Sequence, residues 1–166
     1  MEDYEVDKEI QLAGECWGLD FADGMLIVAI RNKEILFLDM TGYPVRRFSM
    51  PHKNLVYINR FKDRHFRTDF EESSVHCYSS DGKKIWRFHK GDALGTRSIC
   101  CDSHGNVFVA CQDSNRVILI SKDGTSSKVI LKTNKPKAIC FDSIKSVLYV
   151  CSLKGDNLSS YRLFYS

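Results

Sequence analysis

Ser98-Ile-Cys-Cys-Asp-Ser-His-Gly-Asn-Val-Phe-Val-Ala-Cys-Gln-Asp-Ser-Asn-Arg-Val-Ile-Leu-Ile120 reads as three short strands joined by two turns. An apolar stretch ends at Asp102, a Gly105-Asn106 turn follows, Val107 to Cys111 form a Val-rich run, and Asn115-Arg116-Val117 opens a third run ending at Ile120. Asp123-Gly124 then supplies the positive φ that a tight hairpin between twisted antiparallel strands demands, and Ser127 to Leu131 leave it as a fourth strand.

The same template recurs on both sides. Second-strand runs are Met25 to Ile30, Arg64 to Phe70, Asn106 to Cys111 and Val147 to Ser152. First-strand anchors Leu19, Ile58, Ile99 and Ile139 lie 39, 41 and 40 residues apart, and third-strand anchors Leu38, Tyr78, Ile120 and Tyr161 lie 40, 42 and 41 apart. Thr41-Gly42 and Asp81-Gly82 repeat the hairpin, with Tyr43 to Phe48 and Lys83 to Phe88 as fourth strands. Four antiparallel strands at this period, with no helical periodicity between them, predict an all-β fold, a β-propeller of four repeats of four-stranded blades. A β-sandwich would not repeat its turn chemistry at blade spacing. Approximate repeat bounds are 14–51, 52–91, 92–131 and 132–166. Repeat two departs from the pattern, because Arg67 stands where its siblings have Val28, Val109 and Val150. Either that position is exposed, or Arg67 has a buried acidic partner such as Asp69.

The third and fourth repeats resemble NHL repeats, through Ser98 to Ile120 and the renewed start Ala138-Ile-Cys-Phe-Asp142. Cys16-Trp-Gly-Leu19 and Asp156 to Tyr161 resemble the C-terminal propeller of tripartite-motif (TRIM-NHL) proteins in particular. That resemblance implies a partner-recognition module, the end of a ubiquitin ligase that chooses a protein or RNA target. It implies no ligase activity here, since there is no dense Cys/His array for a RING or B-box. Propellers of this family usually have six blades. An open arc, a C-terminal portion of a larger propeller, is therefore expected rather than a closed four-blade ring. The last repeat stops after its third strand, and Glu9 to Ala13, within an N-terminal segment 1–13, read as a lone outer strand. Open blade edges predict self-association unless covered.

Composition narrows the function classes. The chain has 166 residues, 43% hydrophobic and 27% charged, which excludes disordered and low-complexity classes. Its net charge of +3 does not by itself imply nucleic-acid binding. The longest apolar run, Met25 to Ile30, is far short of a membrane span, and the acidic N-terminus does not resemble a secretory signal, so a cytoplasmic location and no membrane partner are expected. Seven cysteines, odd in number and without a C-x-x-C pair, read as small buried hydrophobes. No nucleophile elbow, phosphate loop or zinc-binding helix motif occurs, so no catalytic residue, metal or cofactor is assigned. A lactonase-like metal hydrolase and a purely structural, incomplete propeller are the competing readings.

Propeller connectivity sends inter-blade and second-to-third-strand loops to one face and both hairpin classes to the other. The first face receives the candidate partner-binding residues Arg31, Lys53, Lys90, Arg97, Arg116, Lys132, Lys135 and Lys137, with Lys33 and Lys154, against six acids, for about +4. The hairpin face receives Lys62, Arg64, Lys83, Lys122 and Lys145 against four acids, for about +1. A protein partner, or RNA phosphates held on the first face, is expected. The plain alternative is that loop lysines only keep the protein soluble. The run His52 to Arg67 is basic and aromatic, but strand alternation divides it between two sides.

Overall fold

Repeat one places strands at Cys16–Ala22 (β1), Met25–Ile30 (β2), Glu34–Leu38 (β3) and Pro44–Ser49 (β4) in the computed structural model, which describes residues 7–49, 55–152 and 157–164. Repeat two gives Leu55–Phe61 (β5), Arg64–Asp69 (β6), Ser74–Ser79 (β7) and Lys84–His89 (β8). Repeat three gives Thr96–Cys101 (β9), Val107–Cys111 (β10), Arg116–Ile120 (β11) and Ser127–Lys132 (β12). Pro136–Asp142 (β13), Val147–Ser152 (β14) and Leu158–Arg162 (β15) complete the series. Each repeat is one antiparallel sheet whose strands pair in chain order, so among the described residues blades 1 to 3 have four strands and blade 4 has three.

The blades stack face to face as a propeller, and their inner strands pack in sequence, β1 on β5, β5 on β9 and β9 on β13. No comparable packing joins β13 to β1 among the described residues, which makes the assembly an arc. Blade faces that meet a neighbouring blade are largely apolar, although the blade 2 face towards blade 1 also carries His65, Arg67 and His76. Ile27, Ala29, Ile35 and Phe37 of blade 1 meet Ile58 of blade 2. Phe66, Cys77 and Phe88 of blade 2 meet Ile99, Val107, Val109 and Ile118 of blade 3. Phe108, Ala110 and Val117 of blade 3 meet Ile139, Leu148 and Val150 of blade 4.

Two sequence expectations need correction. Residues 9–13 form no strand. They cross the free face of blade 1 rather than lying along a sheet edge, so no ladder partner runs beside them. Ile10 and Leu12 pack there on Val28, Ile30, Leu36 and Leu38. Arg67 is neither exposed nor paired with Asp69. It is buried, Nη2 donates to His65 Nε2 at 2.8 Å, and its guanidinium lies 4.2 Å from the centre of the Tyr78 ring. Aromatic faces and an imidazole acceptor hold its guanidinium at this seam.

The third-to-fourth-strand hairpins also set how blades nest. Gly124 has φ +73°, and a Cβ there would lie 2.6 Å from the Trp86 indole of the preceding blade. Gly82, at φ +87°, meets the Phe48 ring in the same way. Glycine is needed twice over, for the left-handed turn and for the ring seated on it. Gly124→Val is expected to cost at least about 2 kcal/mol, read as a lower urea midpoint with β-sheet circular dichroism otherwise preserved. An unchanged midpoint refutes this account of the seam.

Candidate functional site

The β5–β6 hairpin separates two clefts on the hairpin face. Strand alternation divides its basic and aromatic residues between them, Arg60 and His65 towards blade 1 and Phe61, Lys62, Arg64 and Phe66 towards blade 3. The first cleft, about 220 Å³, is lined by Met25, Phe37, Val45, Arg46, Arg60, His65 and Ser80. The second, about 190 Å³, is lined by the β5–β6 hairpin together with His104, Gly105 and Lys122 of blade 3.

The first cleft's cations are engaged within the fold. Arg60 Nη2 pairs with Asp23 at 2.6 Å and Nε donates to the Lys62 carbonyl at 2.9 Å, while Arg46 donates to the Ser80 carbonyl. The Arg60 amide donates to Asp20 Oδ2 at 2.6 Å; burial nevertheless holds the Asp20 carboxyl above its usual range. His65 is sandwiched between the Phe48 and Tyr78 rings. Burial first, and then the positive charge of Arg67, Arg60 and Arg46, pushes its pKa down to about 3. The ring is neutral, and since Nε2 accepts from Arg67, Nδ1 carries the proton.

The second cleft is different. Arg64 Nη1 and Trp86 Nε1 both donate to the Lys122 carbonyl, at 2.9 and 3.1 Å, which clamps the hairpin of blade 3 against blade 2. No ion pair engages the side chains of Lys62, Arg64 or Lys122 among the described residues, and Lys62 and Lys122 are exposed. Asp102, buried at the base of the neighbouring turn, accepts from the His104 and Asn106 amides and from Asn106 Nδ2, each at 2.8 Å, and so positions His104 at the rim. That turn is the Asp-x-x-Gly-Asn stretch, Asp102 to Asn106, between β9 and β10.

The residues expected on the opposite face are placed as follows. Arg31 pairs with Glu15 at 3.0 Å and stacks on Trp17, and Arg116 pairs with Asp92. Arg97 lies 3.9 Å over the Phe70 ring and donates from Nε to Gln112 Oε1. Lys132 lies opposite Arg116 in the ladder, and the Lys135 amide donates to Asn115 Oδ1, so Arg116, Lys132 and Lys135 gather at the junction of blades 3 and 4. Lys137 is exposed on β13, Lys90 lies by the Phe88 ring, and Lys53 and Lys154 fall outside the described residues. Loop counting missed the β5–β6 cleft because it summed charge per face. The available signal was that Lys62, Arg64 and Lys122 belong to adjacent blades.

One cluster has metal-ligand composition. Donor atoms of Asp69, Glu72 and His76 lie within 4.8 Å of one another. Arg87 pairs with Glu72 at 2.8 Å, Asp69 accepts from the Glu72 amide, His76 Nε2 shares a hydrogen bond with Ser74, and Arg67 stands opposite His76. Arg87 thus offsets one of the two carboxylates. The cluster sits on β6, β7 and their loop, with Asp69 opposite Leu55 of β5. Among the thiols, burial pushes Cys77 up to about 11 and Cys111 to about 12, which leaves them unreactive.

No protein-family model matches the chain, and no curated protein does. Among solved structures it is similar to a streptogramin B lyase at 16% identity and TM-score 0.70, covering 94% of this chain and 58% of that one. The Cps50 (Swd1) β-propeller domain of Myceliophteria thermophila is 8% identical with TM-score 0.72, covering 90% and 54%. The computationally designed Ika4 protein is 9% identical with TM-score 0.70, covering 96% and 100%. The fold is thus that of β-propellers, and the chain spans a little over half the length of the lyase and Cps50 chains.

The His65 environment has a stability consequence. Between the ordinary value of 6.5 and about 3, the unfolded chain binds a proton that the folded ring excludes, so stability falls as pH drops through this window. His65→Gln keeps an acceptor for Arg67 but does not titrate. Urea midpoints from pH 7.5 down to about 4 should decline less steeply in this variant, by up to about 1.4 kcal/mol per pH unit. Parallel slopes would overturn the assignment.

Proposed function

We propose that the protein is a non-catalytic binding module that docks an acidic segment of a protein partner in the cleft between the β5–β6 hairpin and blade 3. The observation that carries this reading is the convergence of Lys62, Arg64 and Lys122, none of them in an ion pair among the described residues, on one concavity whose lining carboxylate is Asp63. Repulsion among uncompensated cations is relieved when an anion binds between them. The nearby aromatic rings are already used: Phe61 lies against Gly105, and Trp86 lies against Gly124. They offer no free platform for stacked bases, which favours a protein ligand over single-stranded RNA. Partner recognition is also what the resemblance of repeats three and four to tripartite-motif NHL propellers implies, with any ubiquitin-transfer machinery supplied from elsewhere.

Fluorescence anisotropy with a labelled oligoglutamate peptide and with oligouridylate, at low and physiological salt, tests the proposal. Lys62→Glu combined with Lys122→Glu should weaken peptide binding about tenfold or more, whereas Lys135→Glu combined with Lys137→Glu should change it by less than about twofold. The reverse ranking moves the site to the inter-blade face, tighter oligouridylate binding replaces the protein ligand with RNA, and no binding to either probe removes the function.

A further inference from the structure

The two ends of the arc are complementary. Leu19, Ile58, Ile99 and Ile139 occupy one repeat position, on the side that faces the preceding blade. Ile58, Ile99 and Ile139 are 6%, 5% and 8% exposed, whereas Leu19, against which no blade packs among the described residues, is 64% exposed beside Trp17 and Phe21. At the other end, Ile27, Phe66 and Phe108 face the following blade and are fully buried. Their counterpart Tyr149 is only half-buried, with Ala138 and Cys140 exposed around it and Leu158 68% exposed.

The strand inventory is complementary too. β3, β7 and β11 each pair with a fourth strand, whereas β15 is the outer edge of its sheet. Residues 9–13 are the converse, lying where a preceding blade's fourth strand would lie but without its blade. Ile10 sits over Gly42, 2.7 Å from where a Cβ would be, as Phe48 sits over Gly82 and Trp86 over Gly124. Lys8 donates to the Thr41 carbonyl, and Lys33 Nζ donates to the Ala13 carbonyl at 3.3 Å, which tethers the segment at both ends.

We propose that a second copy of this chain covers these faces. Blade 4 of one copy seats on the free face of blade 1 of the other, and residues 9–13 of the latter pair with β15 as the missing fourth strand. The junction continues the seams already present between blades 1 to 4, and it is heterologous, with different surfaces on the two partners. Two such junctions close two arcs into one ring. A face-to-face pairing of two blade 1 surfaces would leave β15 unpaired.

Sedimentation of the 166-residue chain should give twice the mass of one 19.1 kDa chain. Leu19→Arg and Ala138→Arg, substitutions at exposed positions on opposite ends, should each raise the dissociation constant about tenfold or more. An equimolar mixture of the two should dimerise again, because one intact junction forms between an unaltered blade 4 and an unaltered blade 1. Independently of any variant, amide exchange at residues 9–13 and 158–162 should slow as concentration rises, since pairing would protect backbone groups that are unpaired in a single copy. A monomeric mass, dissociation by only one of the two substitutions, failure of the mixture to dimerise, or concentration-independent exchange overturns the proposal, and species larger than a dimer overturn ring closure.

Discussion

A sheet that is apolar on both faces has no side to turn to water, and this constraint organises the whole chain. Each blade needs a neighbour before it and after it, and inner strands are placed by the blades they separate. The same constraint explains why one repeat position is buried at Ile58, Ile99 and Ile139 yet open at Leu19. Seating of a ring on a hairpin glycine, Phe48 on Gly82 and Trp86 on Gly124, then sets how far each blade slides along the next. Loops inherit their positions from that slide, and the cleft that gathers Lys62, Arg64 and Lys122 is one product of it.

Much of this was legible in the sequence because propeller blades are local objects. Alternation and Asp-Gly or Thr-Gly hairpins are read within a few residues, and the anchor spacing at Leu19, Ile58, Ile99 and Ile139 announces the repeat. What depends on the contact between repeats was not legible. Arg67 looked like a misplaced charge because its support comes from His65 two residues away and Tyr78 across the ladder, neither of which is a carboxylate. Residues 9–13 have a strand-like composition, but a strand is defined by its partner, and composition carries no information about what lies alongside. The candidate cleft escaped for a related reason: charge summed over a face ignores whether an Asp such as Asp92 already answers an Arg such as Arg116.

The seams are chemically unequal. Those between blades 2 and 3 and between blades 3 and 4 are packed with aliphatic, aromatic and cysteine side chains, which attract without regard to direction. Between blades 1 and 2, apolar residues share the seam with His65, Arg67, His76 and Tyr78, joined by stacked rings and by an Arg67–His65 hydrogen bond. Repeats of similar sequence run the risk of docking in the wrong order while they fold. A blade 2 placed against another neighbour, such as blade 3's far face, would bury the Arg67 layer without the Phe37 and Phe48 rings that abut His65. The polar seam thus acts as an address, telling otherwise interchangeable blades which of them comes second.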